Sequence, residues 1–396
     1  MSVPPAAVVV DAVDLDDVVE VTQEIVRIPS VCGEEAELSD ALTARMGKMG
    51  FDEVYQQEAL PGRKNVVGVV DSGRPGPTIV LTGHIDTKPV CVGWDEDPYC
   101  GRLDGDRLYG HAVMDMKAGI GGIVAAGDAL SRCRDQWRGK VIVSGVVDHM
   151  GQQIGAIKFF DEHQADYCLL AELTDNDIYL GHRGRLYWDV TCYGKAAHTC
   201  RRHEAVNSIA LAVPVIEEIE ALRWEPEAPE WITDLVGTEL YTAVGRIYGG
   251  LPPGGPSMIP DETVLRIDSR PLPGIEAEQV REYLQAAIDR AAAKRPDGRY
   301  EMVLADRKDS YLIERDHPLV EALDDAYQQV TGSAPRYAAG SWLADTASFG
   351  KQVPTVIFGP GHDPVYTPNE WLDVADIKLA AQVNTLMTVA LSNRDA

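Results

Sequence analysis

The run Thr78-Ile79-Val80-Leu81-Thr82 is apolar and β-branched and ends in Gly83-His84-Ile85-Asp86. Such a run reads as a buried strand that delivers polar chemistry at its end. Apolar runs recur at 66–70, 140–147, 167–171 and 354–358. Between them the spacing becomes helical. Segment 15–27 sets Val18, Val19, Val21, Ile25 and Val26 along one stripe and stops at Ile28-Pro29-Ser30. Segments 35–49, 119–130, 151–162, 319–331 and 373–391 also read as helices. Strands alternating with helices predict an α/β fold, a mostly parallel sheet covered on both faces.

Near residue 178 the character changes. Segments 186–193 and 263–269 alternate like half-exposed strands and flank helix-like stretches at 206–222 and 276–293. The earlier alternation resumes after Arg295-Pro296-Asp297-Gly298. One domain interrupted by another is therefore expected: a discontinuous domain of 1–177 plus 294–396, and an α+β insert at 178–293. No internal repeat or low-complexity segment is visible.

Composition narrows the partners. The 396 residues suffice for two domains, and a net charge of -26 argues against nucleic acid and anionic membranes. No run of ~18 apolar residues occurs, and 1–14 lacks a basic region ahead of its short apolar piece, so a cytoplasmic location is expected. The seven cysteines have no CxxC spacing and read as reduced thiols. Arg183, Arg185, Arg201 and Arg202 read as a solvated face, and 249–256 as a turn.

The chemistry gathers between Thr78 and Lys117. His84 and Asp86 lie two apart and point the same way on an extended backbone. The Asp86 carboxylate can then accept the proton of the non-ligating imidazole nitrogen. Asp115 follows the turn Gly110-His111-Ala112 and leads into a glycine-rich helix, where a carboxylate can bridge or cap a cation.

Several stretches occur in an order that resembles the zinc metallopeptidase family of acetylornithine deacetylase, succinyl-diaminopimelate desuccinylase, aminoacylase and carboxypeptidase G. They are Gly83-His84-Ile85-Asp86, Asp115-Met116-Lys117, Asp148 through Gly155-Ala156, Ala171-Glu172-Leu173-Thr174, Gly194 through His198, Asp268-Ser269-Arg270, Ala344-Asp345 and Gly359-Pro360-Gly361 to Asn369-Glu370. The resemblance covers about residues 15 to 390. It implies a zinc-peptidase-like catalytic domain with an inserted dimerisation (lid) domain, and in the family two zinc ions share an aspartate. By position, His84, Asp115 and Glu172 keep one ion. The second seat departs: Asp148-His149-Met150 stands where the family has Asp-Glu-Glu, and Tyr366 where it has a C-terminal histidine. His149 thus replaces the family's general base, while Met150 and neutral tyrosine are poor zinc ligands. His111, Ala112 and Ala118 also depart, and His362 could rescue ligation from a shifted loop.

The resulting expectation is a cytoplasmic homodimer that hydrolyses the amide bond of a small N-acyl amino acid or peptide-like metabolite. One zinc, with cobalt or manganese as alternatives, is held by His84, Asp115 and Glu172. His149, Asp86 and His198 are the catalytic candidates, and Asn207, Arg270 and Tyr366 the substrate-binding ones. In the resemblance His198 stabilises the oxyanion across a dimer, while Asn207 and Arg270 hold the substrate's carboxylate or backbone. Two rivals remain open: a non-hydrolytic reaction (cyclisation, elimination, isomerisation or acyl transfer), and a catalytically silent binding protein in which His149 only packs.

Overall fold

The computed structural model describes residues 5–250 and 257–394, so most of the turn expected at 249–256 lies outside the described residues. The chain divides into two compact units: Met1–Gly181, Ile313–Ala338 and Ala344–Ala396 in one, His182–Leu312 and Ala339–Leu343 in the other. Principal elements of the larger unit are α1 (Leu15–Val26), α2 (Ala36–Met46), β1 (Glu53–Leu60), β2 (Arg63–Asp71), β3 (Thr78–His84), α3 (Ala118–Arg132), β4 (Lys140–Val146), α4 (Ile154–Glu162), β5 (Tyr167–Leu170) and β6 (Ile178–His182). The smaller unit holds β7 (Arg185–Tyr193), β8 (Ala197–His198), α5 (Ser208–Glu220), β9 (Tyr241–Gly249), β10 (Met258–Ile259), β11 (Glu262–Arg270), α6 (Ala277–Lys294) and β12 (Arg299–Lys308). The chain then returns to the larger unit through α7 (Pro318–Thr331), β13 (Thr355–Ile357) and α8 (Val374–Ser392).

In the larger unit the strands run in the order β1-β2-β4-β3-β5-β13-β6. The central four, β4-β3-β5-β13, are parallel, while β1, β2 and β6 join antiparallel at the flanks. After its first residue β3 is buried throughout, as an apolar strand covered on both faces must be. Helix α3 can lie close because its glycines carry no Cβ: one added at Gly121 would meet Thr22 Oγ1 at 2.1 Å, and one at Gly119 the Ala171 carbonyl oxygen at 2.0 Å. Helix α8 is long and apolar enough to cross a membrane by composition alone. It packs on α3 and α7, and most of it is buried in the fold.

The smaller unit is built on the antiparallel sheet β9-β11-β7-β12. Every second residue of β7 and β11 is buried. Trp188, Val190, Leu265 and Ile267 pack there with Leu211 and Val215 of α5 and Leu284 and Ile288 of α6. The insert therefore differs from its expected bounds of 178 and 293. It starts at His182 and runs to Leu312, because β12 pairs with β7 from Arg299 to Lys308. In that strand Tyr300 and Met302 are only partly buried against the core while Val303 and Leu304 are exposed, so its apolar run breaks the simple alternation of a half-buried strand.

Gly119 joins the fold to the site, since the carbonyl it touches belongs to the residue before Glu172. Gly119→Ala is expected to destabilise the protein by about 1–3 kcal/mol, the usual cost of an overpacked contact. Urea unfolding should show a lower midpoint at unchanged slope; an unchanged midpoint would contradict this packing.

Candidate metal centre

His84 is the last residue of β3. Its Nδ1 donates to the Asp86 main-chain oxygen at 2.8 Å, which turns Nε2 to within 3.0 Å of Asp115 Oδ1 and 3.6 Å of Glu172 Oε1. Asp115 lies on the irregular turn Val113–Lys117 that feeds α3. Glu172 follows β5, where the Ala171 N–H bonds to the Thr82 carbonyl. Three loops leaving the ends of neighbouring elements thus converge.

The Asp86 contact corrects one expectation. The acceptor for the His84 ring is the Asp86 carbonyl, not its carboxylate. The carboxylate instead accepts the main-chain N–H of His149 at 3.0 Å and of Met150 at 2.9 Å. A strand-end carboxylate facing two free amides of the next turn satisfies both, and so fixes the loop that carries His149.

The His149 ring stacks on His84 with centroids 4.1 Å apart and planes 13° apart. Its Nδ1 lies 2.8 Å from Asp345 Oδ1. One ring nitrogen each of His84 and His149 and one oxygen of Glu172 all lie within 4.8 Å of one another. Ligands 2.0–2.2 Å from a tetrahedral zinc stand about 3.4 Å apart, so the 3.0 and 3.6 Å contacts of His84 bracket the edge a bound ion requires. His84 with Asp115 and Glu172 thus offers donor spacings of the length that a zinc-type ion requires.

The charges point the same way. Burial disfavours a charged His84, but Glu172 and the hydrogen-bonded Asp115 outweigh it and hold the imidazole up at about 10. Burial pushes Glu172 up to about 7 against the pull of His84. Asp115 is buried too, yet the His84 contact holds its carboxyl below the usual range. Burial and His84 oppose a charged His149, and Asp345 and Glu172 prevail and raise it. Without a cation the cluster must gather protons.

A second group of potential ligands, Cys32, Glu35 and Asp86, has its own cation. Arg63 donates to both Glu35 oxygens, at 2.9 and 2.5 Å, and to Asp148 Oδ1 at 2.7 Å. Burial and Asp86 push the Cys32 thiol up to about 12. This is an ion-pair frame beneath the His149 loop. It spans residues distant in sequence and has no motif.

Tyr366, which the resemblance placed at the seat of a second ion, donates from Oη to the Asp115 main-chain oxygen at 3.1 Å, and burial with the Asp115 charge drives its phenol far above the usual range. It stays a neutral donor. His111 is fully buried, with Nε2 donating to the Lys88 carbonyl at 2.8 Å. His362 is exposed, and its Nδ1 lies 3.0 Å from the Asp363 carbonyl of its own loop. Burial lifts Glu370 to about 7 while it accepts the N–H groups of Met114 and Tyr366.

The other candidates belong to the smaller unit. His198 Nδ1 accepts the Cys200 N–H, Asn207 caps α5 through the Ile209 N–H, and the Arg270 fork pairs with Asp268 at 2.9 Å on both arms. Each has a structural role in its own right.

Residues 80–389 match the sequence profile of peptidase family M20/M25/M40. Succinyl-diaminopimelate desuccinylase of Halorhodospira halophila is 23% identical over 377 residues, covering 91% of this chain and 94% of that protein. Acetylornithine deacetylase of Vibrio vulnificus is 28% identical over 333 residues, covering 82% and 83%. Among solved structures, the aminopeptidase PepT from Bacillus cereus superposes with a TM-score of 0.76 at 18% identity, covering 96% of this chain and 100% of that one. A dinuclear metal-binding peptidase from Bacillus subtilis does so with a TM-score of 0.69 at 14% identity, covering 96% and 98%.

The raised groups fix a pH dependence. A group whose pKa is higher folded than unfolded contributes stability that is full below the unfolded value and lost as pH rises through the folded one. For Glu172 that loss runs from 4.5 to about 7, and for His84 from 6.5 to about 10. Chelated protein should therefore weaken with rising pH. Zinc competes with these protons, so its increase of Tm should be larger at about pH 8 than at about pH 6. Equal increases in thermal unfolding would contradict ligation by these groups.

Proposed function

Because this chain belongs to peptidase family M20/M25/M40, we propose that it is a cytoplasmic metal-dependent amidohydrolase that cleaves the amide bond of a small N-acyl amino acid or peptide-like metabolite. The observation that supports it is the convergence of His84, Asp115 and Glu172 on one buried point with the ring of His149 beside it. Zinc is the best match to that donor set, with cobalt or manganese as substitutes. When bound, such an ion polarises a carbonyl and acidifies water.

The protein's own groups do the rest. His149 accepts a proton from the attacking water and passes it to the departing nitrogen. Asp86 holds the loop that carries it. By the resemblance, His198 would reach across a homodimer to the developing oxyanion, and Asn207 and Arg270 would hold the substrate's carboxylate or backbone. Tyr366 retains a neutral hydroxyl for the substrate.

A second reading follows from that same phenol and from Met150. With both second-ion positions held by side chains that bind zinc poorly, a one-ion pocket can instead run a cyclisation, elimination, isomerisation or acyl transfer. Product mass separates these: hydrolysis adds one water, isomerisation none, and a cyclising elimination loses one. A protein that retains no metal after purification would favour a silent binding role. For the hydrolase, chelation should abolish turnover of an N-acyl amino acid panel, and His149→Ala should lower kcat at least ~100-fold. Full turnover in either case would reject the mechanism.

A homodimer through the smaller unit is part of the proposal. Strand β9 is an edge with Ile247 54% and Tyr248 48% exposed, and α5 exposes Ile209 and Val213. Apolar side chains on an unpaired edge call for cover. Ile247→Lys combined with Val213→Lys should convert a dimer to a monomer in light scattering; an unaltered mass would place the contact elsewhere.

A further inference from the structure

The proposed base is an imidazole where a carboxylate would be the simpler choice. The two oxygens of a carboxylate are equivalent, whereas an imidazole works as a base only if the right nitrogen holds the lone pair. Something must set that choice. The rest of the His149 loop is already fixed: its N–H and that of Met150 are bound by Asp86, and Asp148 is gripped by Arg63. Those contacts hold the backbone and leave the ring free to flip.

The ring is met by Asp345, which is buried at 1% exposure, with Oδ1 2.8 Å from Nδ1. The approach is built in. Gln153 donates from Nε2 to the Ala344 carbonyl at 3.0 Å and accepts from Ser348 Oγ at 2.5 Å, so one side chain ties the segment bearing Asp345 to the loop bearing His149. A carboxylate can only accept, so the proton of a neutral ring lies on Nδ1 and the lone pair on Nε2. Nε2 makes no hydrogen bond among the described residues.

We propose that Asp345 is a positioning residue that acts through His149, fixing its ring with Nδ1–H on the carboxylate and Nε2 as the proton acceptor. The inference rests on the reading of His149 as the base. Water gives one proton to Nε2 and its oxygen forms the C–O bond. The C–N bond then breaks, its electron pair goes to nitrogen, and Nε2 returns the proton there. Asp345 keeps its charge throughout and steadies the imidazolium.

The test uses the full-length zinc-loaded protein. Asp345→Ala should lower kcat on a turned-over N-acyl amino acid by ~100-fold or more, with KM and zinc affinity unchanged. Asp345→Glu should recover part of the loss. In a His149→Ala background Asp345→Ala should cost nothing further, since residues that act as a unit are non-additive. Fully additive losses, or a loss confined to zinc affinity, would overturn the assignment. A readout free of turnover guards against failure of the hydrolase reading itself. In ¹⁵N-histidine spectra recorded above the His149 titration, the His149 proton should reside on Nδ1 in the wild type and lose that preference in Asp345→Ala. A proton on Nε2 in the wild type would overturn the proposal whatever the reaction.

Discussion

The structure depends on a charge problem with few solutions. Asp115 and Glu172 are both buried against the same imidazole nitrogen of His84, and His149 stacks on that imidazole. Two carboxylates buried against one imidazole nitrogen repel each other, and burial adds to that cost. Protons relieve the strain in part, which is why His84 is held near 10 and Glu172 near 7. A divalent ion relieves it more fully, because one charge centre answers both carboxylates and needs neither imidazole to be charged.

The fold serves that arrangement. Parallel strands put all their C-terminal ends on one side, so β3, β4 and β5 deliver His84, the His149 loop and Glu172 to one place. Helix α3 brings Asp115 there, and its approach depends on the missing Cβ atoms of Gly119 and Gly121. Beneath the loop, Arg63 neutralises Glu35 and Asp148, so the acidic groups of the frame do not compete for the ion.

What the sequence made legible follows the range of its signals. The buried strands and most helices could be read, because apolar runs and helical spacing act over a few residues; α3, expected at 119–130, forms at Ala118–Arg132. His84, Asp115 and Glu172 stood out as polar residues at element ends within recognisable motifs. The insert's far boundary did not, because β12 buries its inner face only in part and its pairing with β7 is invisible locally. Asp86 was chosen for the correct loop and the wrong atoms: two-residue spacing aligns side chains on a strand, but the chain leaves β3 at His84 and turns. Arg63 and Asp345 reach partners 85 and 196 residues away, and no periodicity encodes such contacts.

The residues at 149 and 150 share a physical logic. Both positions spend their main-chain N–H groups on Asp86, so the loop's path is set by the backbone whatever side chains it carries. Side-chain chemistry there can change without cost to the fold. Met150 carries no charge, and neutral Tyr366 gives its hydroxyl to the Asp115 carbonyl, so neither side chain offers a negative charge to a cation. A cluster with fewer anions needs fewer cations. On the proposed reading, His149 supplies a basic group beside the ion without adding negative charge, provided that a buried carboxylate outside the ligand set orients it. Under the proposed one-ion reading, the residues at 149, 150 and 366 are linked through one local charge balance.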